Sequence, residues 1–148
     1  MIEKGFFLKH PPHKGLIFGN DVYVGFNTTL DIPFTGTIII ENNVAFTGFS
    51  YVSCAVKVHV GENTLIGEFV SIRDANHGIN ANQLIINQPM EATPILIGSN
   101  CWIARGVAIV RGGSIGNNSV IGANALVNTH IKENSIAVGT PAKVIKQR

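Results

Sequence analysis

The chain has 148 residues, of which 45% are hydrophobic and only 14% charged, with a formal net charge of +2. So small a charge argues against nucleic acid as a partner, and no apolar run approaches the roughly 20 residues of a membrane-spanning helix. The length suits one domain with one sizeable core, spanning 1–148.

The first residues, MIEKGFFLKHPPHKG, lack the apolar core and cleavage site of a signal peptide. His10 and His13 stand in this proline-flanked stretch and read as solvated. From Phe18 onward an apolar residue returns every sixth position: Phe18, Val24 and Leu30, with Val22, Thr28 and Phe34 four residues further on in each unit. Ile40, Phe46, Val52 and Val58 continue it, with Val44, Ser50 and Val56 at the compact position. A two-residue slip at His59 resets the phase to Val60, Ile66 and Ile72, with Thr64 and Val70.

Between Ile72 and Ile97 no multiple of six fits, so the chain must leave the repeat. The intervening segment is rich in Asn and Gln and carries Pro89 and Pro94, as a loop does. A long loop inside a compact repeat is commonly functional, and this one holds His77. The repeat is cleanest after it: Ile97, Ile103, Ile109, Ile115, Ile121 and Val127, with Cys101, Val107, Gly113, Ser119 and Ala125 between them.

A period of six is neither the 3.6 of a helix nor plain strand alternation. It is the pattern of a parallel β-helix built from hexapeptides. Residues two apart on a strand share a face, so Val107 and Ile109, or Ser119 and Ile121, point into the coil together. Gly98, Gly116 and Gly122 fall where the chain turns a corner, where glycine accepts positive φ most readily. Cys101 is inward, and the two cysteines read as reduced thiols in a cytoplasmic protein. Periodicity alone leaves the hand of the coil open.

The stretch PILIGSNCWIARGVAIVRGGSIGNNSVIGANALVNTHIKENSIAVGTPAKVI (Pro94–Ile145) resembles the C-terminal half of hexapeptide acyltransferases, above all the sugar O-acetyltransferases of the galactoside and O-antigen type. RDANHG (Arg73–Gly78) is similar to the loop in which those enzymes carry a catalytic histidine. The most specific matches are Trp102–Ile103, the VIGA run at Val120–Ala123 and the VGTPAKVI ending. The resemblance implies an all-β, left-handed parallel β-helix with a protruding loop at about 73–96. It also implies a homotrimer, acetyl-CoA as donor and active sites in the clefts between subunits.

Acyl transfer from a thioester to a hydroxyl needs a base for the hydroxyl proton. A histidine, with a reference pKa of about 6.5, suits this near neutral pH. The resemblance gives that role to His77. Asp74 and Asn76 flank it, one to orient the imidazole and the other to bind the acceptor, in either assignment. Trp102 matches a tryptophan that walls the histidine, and doubles as a candidate interface aromatic. Gly122 and Ala123 match the edge along which the pantetheine arm runs, Ala104 is a further donor-side candidate that departs from the family by standing where glycine is usual, and Lys143 and Lys146 match contacts to the coenzyme A phosphates. Arg105 stands where a small polar residue is common, within reach of the acceptor or a phosphate. The sequence also departs from the family at Val110-Arg111-Gly112 and Asn128-Thr129-His130.

His59 and His130 read as structural or exposed. A γ-carbonic anhydrase shares this coil, but binds zinc through histidines five apart. The positions five from His77 are Ile72 and Asn82, so no metal is expected. The early first repeat suggests the O-antigen or capsule branch, with a saccharide acceptor on a polysaccharide, nucleotide or lipid carrier. Alternatives are an N-acetyltransferase for a nucleotide-linked amino sugar, or a non-catalytic trimeric scaffold.

Overall fold

A computed structural model describes residues 1–148. The chain winds through three sheets in turn. The first stacks Phe7–Leu8, Thr29–Asp31, Tyr51–Ser53, Ser71–Arg73, Ala108–Ile109 and Leu126–Val127. The second stacks Leu16–Phe18, Thr37–Ile40, Lys57–Val60, Ile95–Ile97, Ser114–Ile115 and His130–Ile131. The third stacks Tyr23–Val24, Ala45–Phe46, Leu65–Ile66, Trp102–Ile103, Val120–Ile121 and Ser135–Val138, and is closed by Lys143–Gln147. Every pairing within these sheets is parallel except the last, where the chain folds back on itself.

The six-residue period produces this form because three units complete a turn. Ile97 then lies over Ile115, Ile103 over Ile121 and Ile109 over Val127. The inward residues form columns, and together they make a core of 28 buried residues. Each fully buried aliphatic side chain contributes about 1.5–3 kcal/mol relative to exposure. Inward hydroxyls are tolerated where a carbonyl lies in reach: Thr64 Oγ1 donates to Gly98 O at 2.9 Å and Ser119 Oγ to Lys132 O at 3.0 Å.

Two inward assignments are corrected. Phe34 is 72% exposed and Val56 is also exposed, whereas Ile32 and Cys54 are buried in their place. The early coils are longer than eighteen residues. Residues hydrogen-bonded to one another at equivalent corners are 22 apart for Asn20 and Asn42 and 20 apart for Asn43 and Asn63, against 18 for Asn100 and Asn118. The extra residues collect in the corner between the first and second sheets, where Gly36 N–H donates to Pro33 O at 2.8 Å. The phase change visible at His59 therefore originates in that corner. Val58 and Val60 are both buried, and His59 points outward to Glu41 at 2.8 Å.

The reading of the corner glycines is also corrected. Positive φ at the corner between the second and third sheets belongs to Asn100 (54°), Asn118 (59°) and Asn134 (56°). Their side-chain amides form a ladder, Asn100 to Asn118 at 2.9 Å and Asn118 to Asn134 at 3.1 Å. Gly98, Gly116 and Gly122 serve close approach instead. A Cβ on Gly98 would stand 2.4 Å from Asn117 Oδ1, on Gly116 2.4 Å from Glu133 N, and on Gly122 2.7 Å from Val138 Cγ1.

The segment after Arg73 leaves the coil as a short antiparallel hairpin. Ala75–His77 pairs with Met90–Ala92, and a 3-10 turn at Ile85–Asn87 lies between them. No helix is long and apolar enough to cross a membrane. All-parallel sheets are ordinarily covered on both faces, yet here the outer faces carry exposed Ile17, Leu65, Leu96 and Trp102.

Candidate active site

Of the five histidines, four are engaged within the chain. His10 Nε2 lies 3.2 Å from Asp31, and His13 Nδ1 accepts from Gly15 N–H at 3.1 Å. Both are therefore partnered rather than simply solvated. His59 pairs with Glu41 and His130 Nδ1 with Ser114 Oγ at 2.8 Å. His77 alone is exposed with no polar partner, at the end of the outgoing strand of the hairpin.

The hairpin is held rigidly at its root. Asp74 is fully buried, and its carboxylate accepts three backbone N–H groups: Ala55 at 2.7 Å, Val56 at 2.7 Å and Lys57 at 2.9 Å. Its carbonyl accepts from Thr93 N–H at 2.9 Å, which joins the two ends of the loop. For Asp74, expected to orient the imidazole or to bind the acceptor, the structure shows three backbone partners at the root of the loop. A carboxylate occupied by three amides and closed to solvent anchors the loop. Asn76 is exposed, but successive residues of a strand alternate faces, so it points away from His77.

Sequence reasoning missed three further supports. Buried Gln88 ties the loop together, accepting from Asn80 N–H at 2.7 Å and donating to the carbonyls of Asn80 and Gln83 at 3.0 and 2.9 Å. Arg111, noted only as a departure from the family, forms an ion pair with Glu91 that clamps the returning strand to the next coil. Beside the root, Arg73 lies 4.8 Å over the Tyr51 ring, and Tyr51 and Lys9 both donate to Asp31, at 2.9 and 2.8 Å. Burial pushes the Asp31 pKa up, but those two bonds outweigh it and hold the group below the usual carboxylate range. The Arg111 and Asp31 contacts join segments 20 or more residues apart, so no local pattern announces them.

The remaining candidates lie elsewhere. Ala104, Arg105, Gly122 and Ala123 share the corner between the third and first sheets, and Lys143 joins them through its pairing with Val138. Lys146, opposite Ile136, lies further along a strand that runs away from this corner. Both lysines are exposed. Arg105 Nε sits 3.3 Å from Glu68 Oε1, and its guanidinium lies 5.3 Å above the Phe69 ring. Trp102, 54% exposed, stands on the outer face of the third sheet between Leu65 and Val120. It borders a groove of about 280 Å³ that Arg148 also lines.

His77 leaves the far end of the first sheet, whereas Arg105 and Ala123 enter its near end. One chain therefore does not bring the histidine and the Gly122–Ala123 edge into a single cleft. The same corner carries two bulky residues in the left-handed region, Phe49 (φ 52°) and Phe69 (φ 60°), where other coils place Asn27, Gly106 and Asn124. For an L side chain that conformation costs about 1–2 kcal/mol. The recurrence of Phe26, Phe49 and Phe69 at this corner was readable in the sequence as Gly-Phe, Gly-Phe and Glu-Phe.

No family model matches the chain. WbbJ of Escherichia coli K12, named for O-acetyl transfer in lipopolysaccharide biosynthesis, is 32% identical over 138 residues, covering 88% of this chain and 70% of that protein. Galactoside O-acetyltransferase of the same organism is 40% identical over 90 residues, covering 61% of this chain and 44% of its own length. A galactoside acetyltransferase solved in complex with coenzyme A superposes with a TM-score of 0.82 at 31% identity, covering 88% of this chain and 64% of that one. The chain thus spans between less than half and 70% of these relatives. With that likeness the three-sided coil takes the left-handed winding its repeat resembled. Repeat, protruding histidine hairpin and relatives agree, and the chain belongs to the hexapeptide-repeat O-acetyltransferases.

Proposed function

We propose that the protein transfers the acetyl group of acetyl-CoA directly to a hydroxyl of a saccharide, with His77 as the general base. The observation that carries this reading is the contrast among the histidines: four are engaged, while His77 is exposed, unpartnered and mounted on a hairpin fixed at its root by Asp74. The imidazole takes the hydroxyl proton as the sugar oxygen attacks the thioester carbon. The proton then passes to the departing thiolate of coenzyme A, and the new ester bond replaces the carbon–sulfur bond. Backbone N–H groups of the coil edge stabilise the oxyanion.

The donor runs along Ala104, Gly122 and Ala123, where small side chains admit its arm, and Lys143 and Lys146 meet its phosphates. The galactoside acetyltransferase solved in complex with coenzyme A supports the identity of the donor. Because His77 and that edge lie at opposite ends of one sheet, the reaction site forms between two copies of a homotrimer. Exposed apolar side chains on the outer sheet faces support such an assembly. Trp102 walls the imidazole across the interface, and Arg105 meets the acceptor. Two unpaired cysteines and a coenzyme A donor suit a cytoplasmic reaction.

The test is thiol release from acetyl-CoA in the presence of hydroxyl and amino saccharides, with the product identified by mass. Release that depends on a hydroxyl sugar and leaves an O-acetyl ester supports the reading. Transfer only to amino sugars, or none with acetyl-CoA bound, refutes it.

A further inference from the structure

We propose that Met90 is a modification site: oxidation of its thioether by a peroxide, beside His77, lowers acetyl transfer, and reduction restores it. The inference rests on the reading of His77 as the base and concerns how that base is controlled.

The two strands of the hairpin set His77 directly opposite Met90, Asn76 opposite Glu91 and Ala75 opposite Ala92. Gly78 N–H donates to Pro89 O at 3.1 Å and Thr93 N–H to Asp74 O at 2.9 Å. Bonds in those places flank the His77–Met90 and Ala75–Ala92 pairs, which makes both of them non-hydrogen-bonded pairs. In such a pair the Cα atoms stand about 4.5 Å apart and the side chains are at their closest. The Met90 thioether and the His77 imidazole therefore rise side by side from one face of the hairpin. The pair nearer the root on that face is two alanines. Asn76 and Glu91, the latter clamped by Arg111, point to the other face. Met90 is 51% exposed, and His77 is exposed too. A cleft that admits a sugar hydroxyl to the imidazole also admits a smaller peroxide to its neighbour.

Sulfur elsewhere in the chain is shielded or remote. There are two methionines and two cysteines. Cys54 and Cys101 are buried in the coil with their thiols held protonated, whereas the thiolate is the form that a peroxide oxidises. Met1 is exposed, but it lies against Val22 and Val24 on the first coil, away from the hairpin.

A lone pair of the Met90 sulfur attacks one oxygen of hydrogen peroxide, and the O–O bond breaks as the S–O bond forms. The released hydroxide takes the proton left on the transferred oxygen and departs as water. Sulfur is oxidised by two electrons and the peroxide is reduced by two. The sulfoxide is polar where the thioether was apolar. Its oxygen accepts a hydrogen bond, and the imidazole beside it has no other polar partner. The ring is drawn toward the sulfoxide and away from the hydroxyl whose proton it takes.

Wild type and Met90→Leu are each treated with hydrogen peroxide, freed of it with catalase, and assayed for ester product against their own untreated rates. Leucine keeps the volume and apolar character of methionine, and this variant retains Met1, Cys54 and Cys101 as other targets. Met90→Gln places a permanent amide where the sulfoxide would stand. Peptide masses locate the added oxygen, and melting temperature is recorded. The oxidised wild type is then given the two methionine sulfoxide reductases, one for each epimer. The wild type should gain one oxygen at Met90 and lose transfer about ten-fold or more, since a displacement of about 1 Å can cost a hundred-fold. The reductases should return it, the leucine variant should keep most of its own rate, and the glutamine variant should be slow without peroxide. Melting temperature should hold throughout, because the side chain is exposed.

The inference is overturned if Met90 carries the oxygen and the rate is unchanged, or if Met90→Leu loses its rate as the wild type does. It is overturned equally if peroxide marks Met1 and spares Met90. An untreated wild type that acetylates no saccharide, or a His77→Ala variant as active as the wild type, strikes at the reading of His77 and takes this inference with it. Both results appear before any peroxide is added, and so are distinguishable from the others.

Discussion

Replacing Asp74 by alanine tests the idea that the hairpin depends on one buried carboxylate. Its two oxygens accept from Ala55, Val56 and Lys57 across the neighbouring coil. Hydrogen bonds to a charged group contribute about 1.5–3 kcal/mol each, and a buried donor left unpaired costs about 1–3 kcal/mol. Val56 is exposed, and Ala55 and Lys57 are partly so, which lets water recover some of the loss. The net cost expected for Asp74→Ala is about 3–5 kcal/mol. At about 2–4 °C per kcal/mol for a chain of this size, the melting temperature falls by about 6–20 °C.

Asp74→Asn keeps one oxygen, which can retain the pair of bonds from Val56 and Lys57 but turns an NH2 toward Ala55. It should lie between alanine and wild type, losing about 1–3 kcal/mol. The assay is thermal unfolding followed by circular dichroism, with acetyl transfer measured well below the transition. Because the root positions His77, transfer should fall by more than the unfolded fraction accounts for, since a displacement of about 1 Å can cost a hundred-fold. An alanine variant that melts within about 2 °C of wild type would show that the three amides do not depend on this carboxylate.

His77→Ala should leave the melting temperature nearly unchanged, since the side chain is exposed and unbonded, yet lower the transfer rate roughly 10²–10⁴-fold; retained activity toward a verified acceptor in a thiol-release assay refutes its role. Ala123→Asp should weaken acetyl-CoA binding by calorimetry without unfolding the coil, and unchanged affinity would put the donor elsewhere. Sedimentation should give the mass of three 15.8 kDa chains, and a single-chain mass would leave His77 and the donor edge apart. Burial, reinforced by the charge of Asp74, pushes the Cys54 thiol up to about 12, and burial raises Cys101 as well. Both should therefore resist a disulfide reagent at pH 8 until the protein is unfolded. Because the folded thiols hold their protons longer than the unfolded ones, stability should decline as pH rises above about 8.5; rapid labelling of the native protein would contradict this.

The period of six determines a great deal by itself, because it is a local constraint. Whether a side chain points inward depends on strand alternation, and where the columns break depends on counting residues. The coil, its buried isoleucines and the exit of the chain near Arg73 were therefore legible, as was the family likeness carried by Trp102–Ile103 and the VIGA run. Corners are different. A corner can absorb two or four extra residues without breaking the ladder, so Ile32 and Cys54 took inward places that simple counting gave to Phe34 and Val56. What a corner residue is for depends on the coil stacked against it. Gly98 yields to Asn117, and Asp74 finds amides 17 to 19 residues earlier in the chain. The stacking of Phe49 on Phe69 and the separation of His77 from Gly122 and Ala123 are of the same kind. Each is set by contacts between coils or by which end of a sheet a loop leaves, and neither is encoded within one hexapeptide.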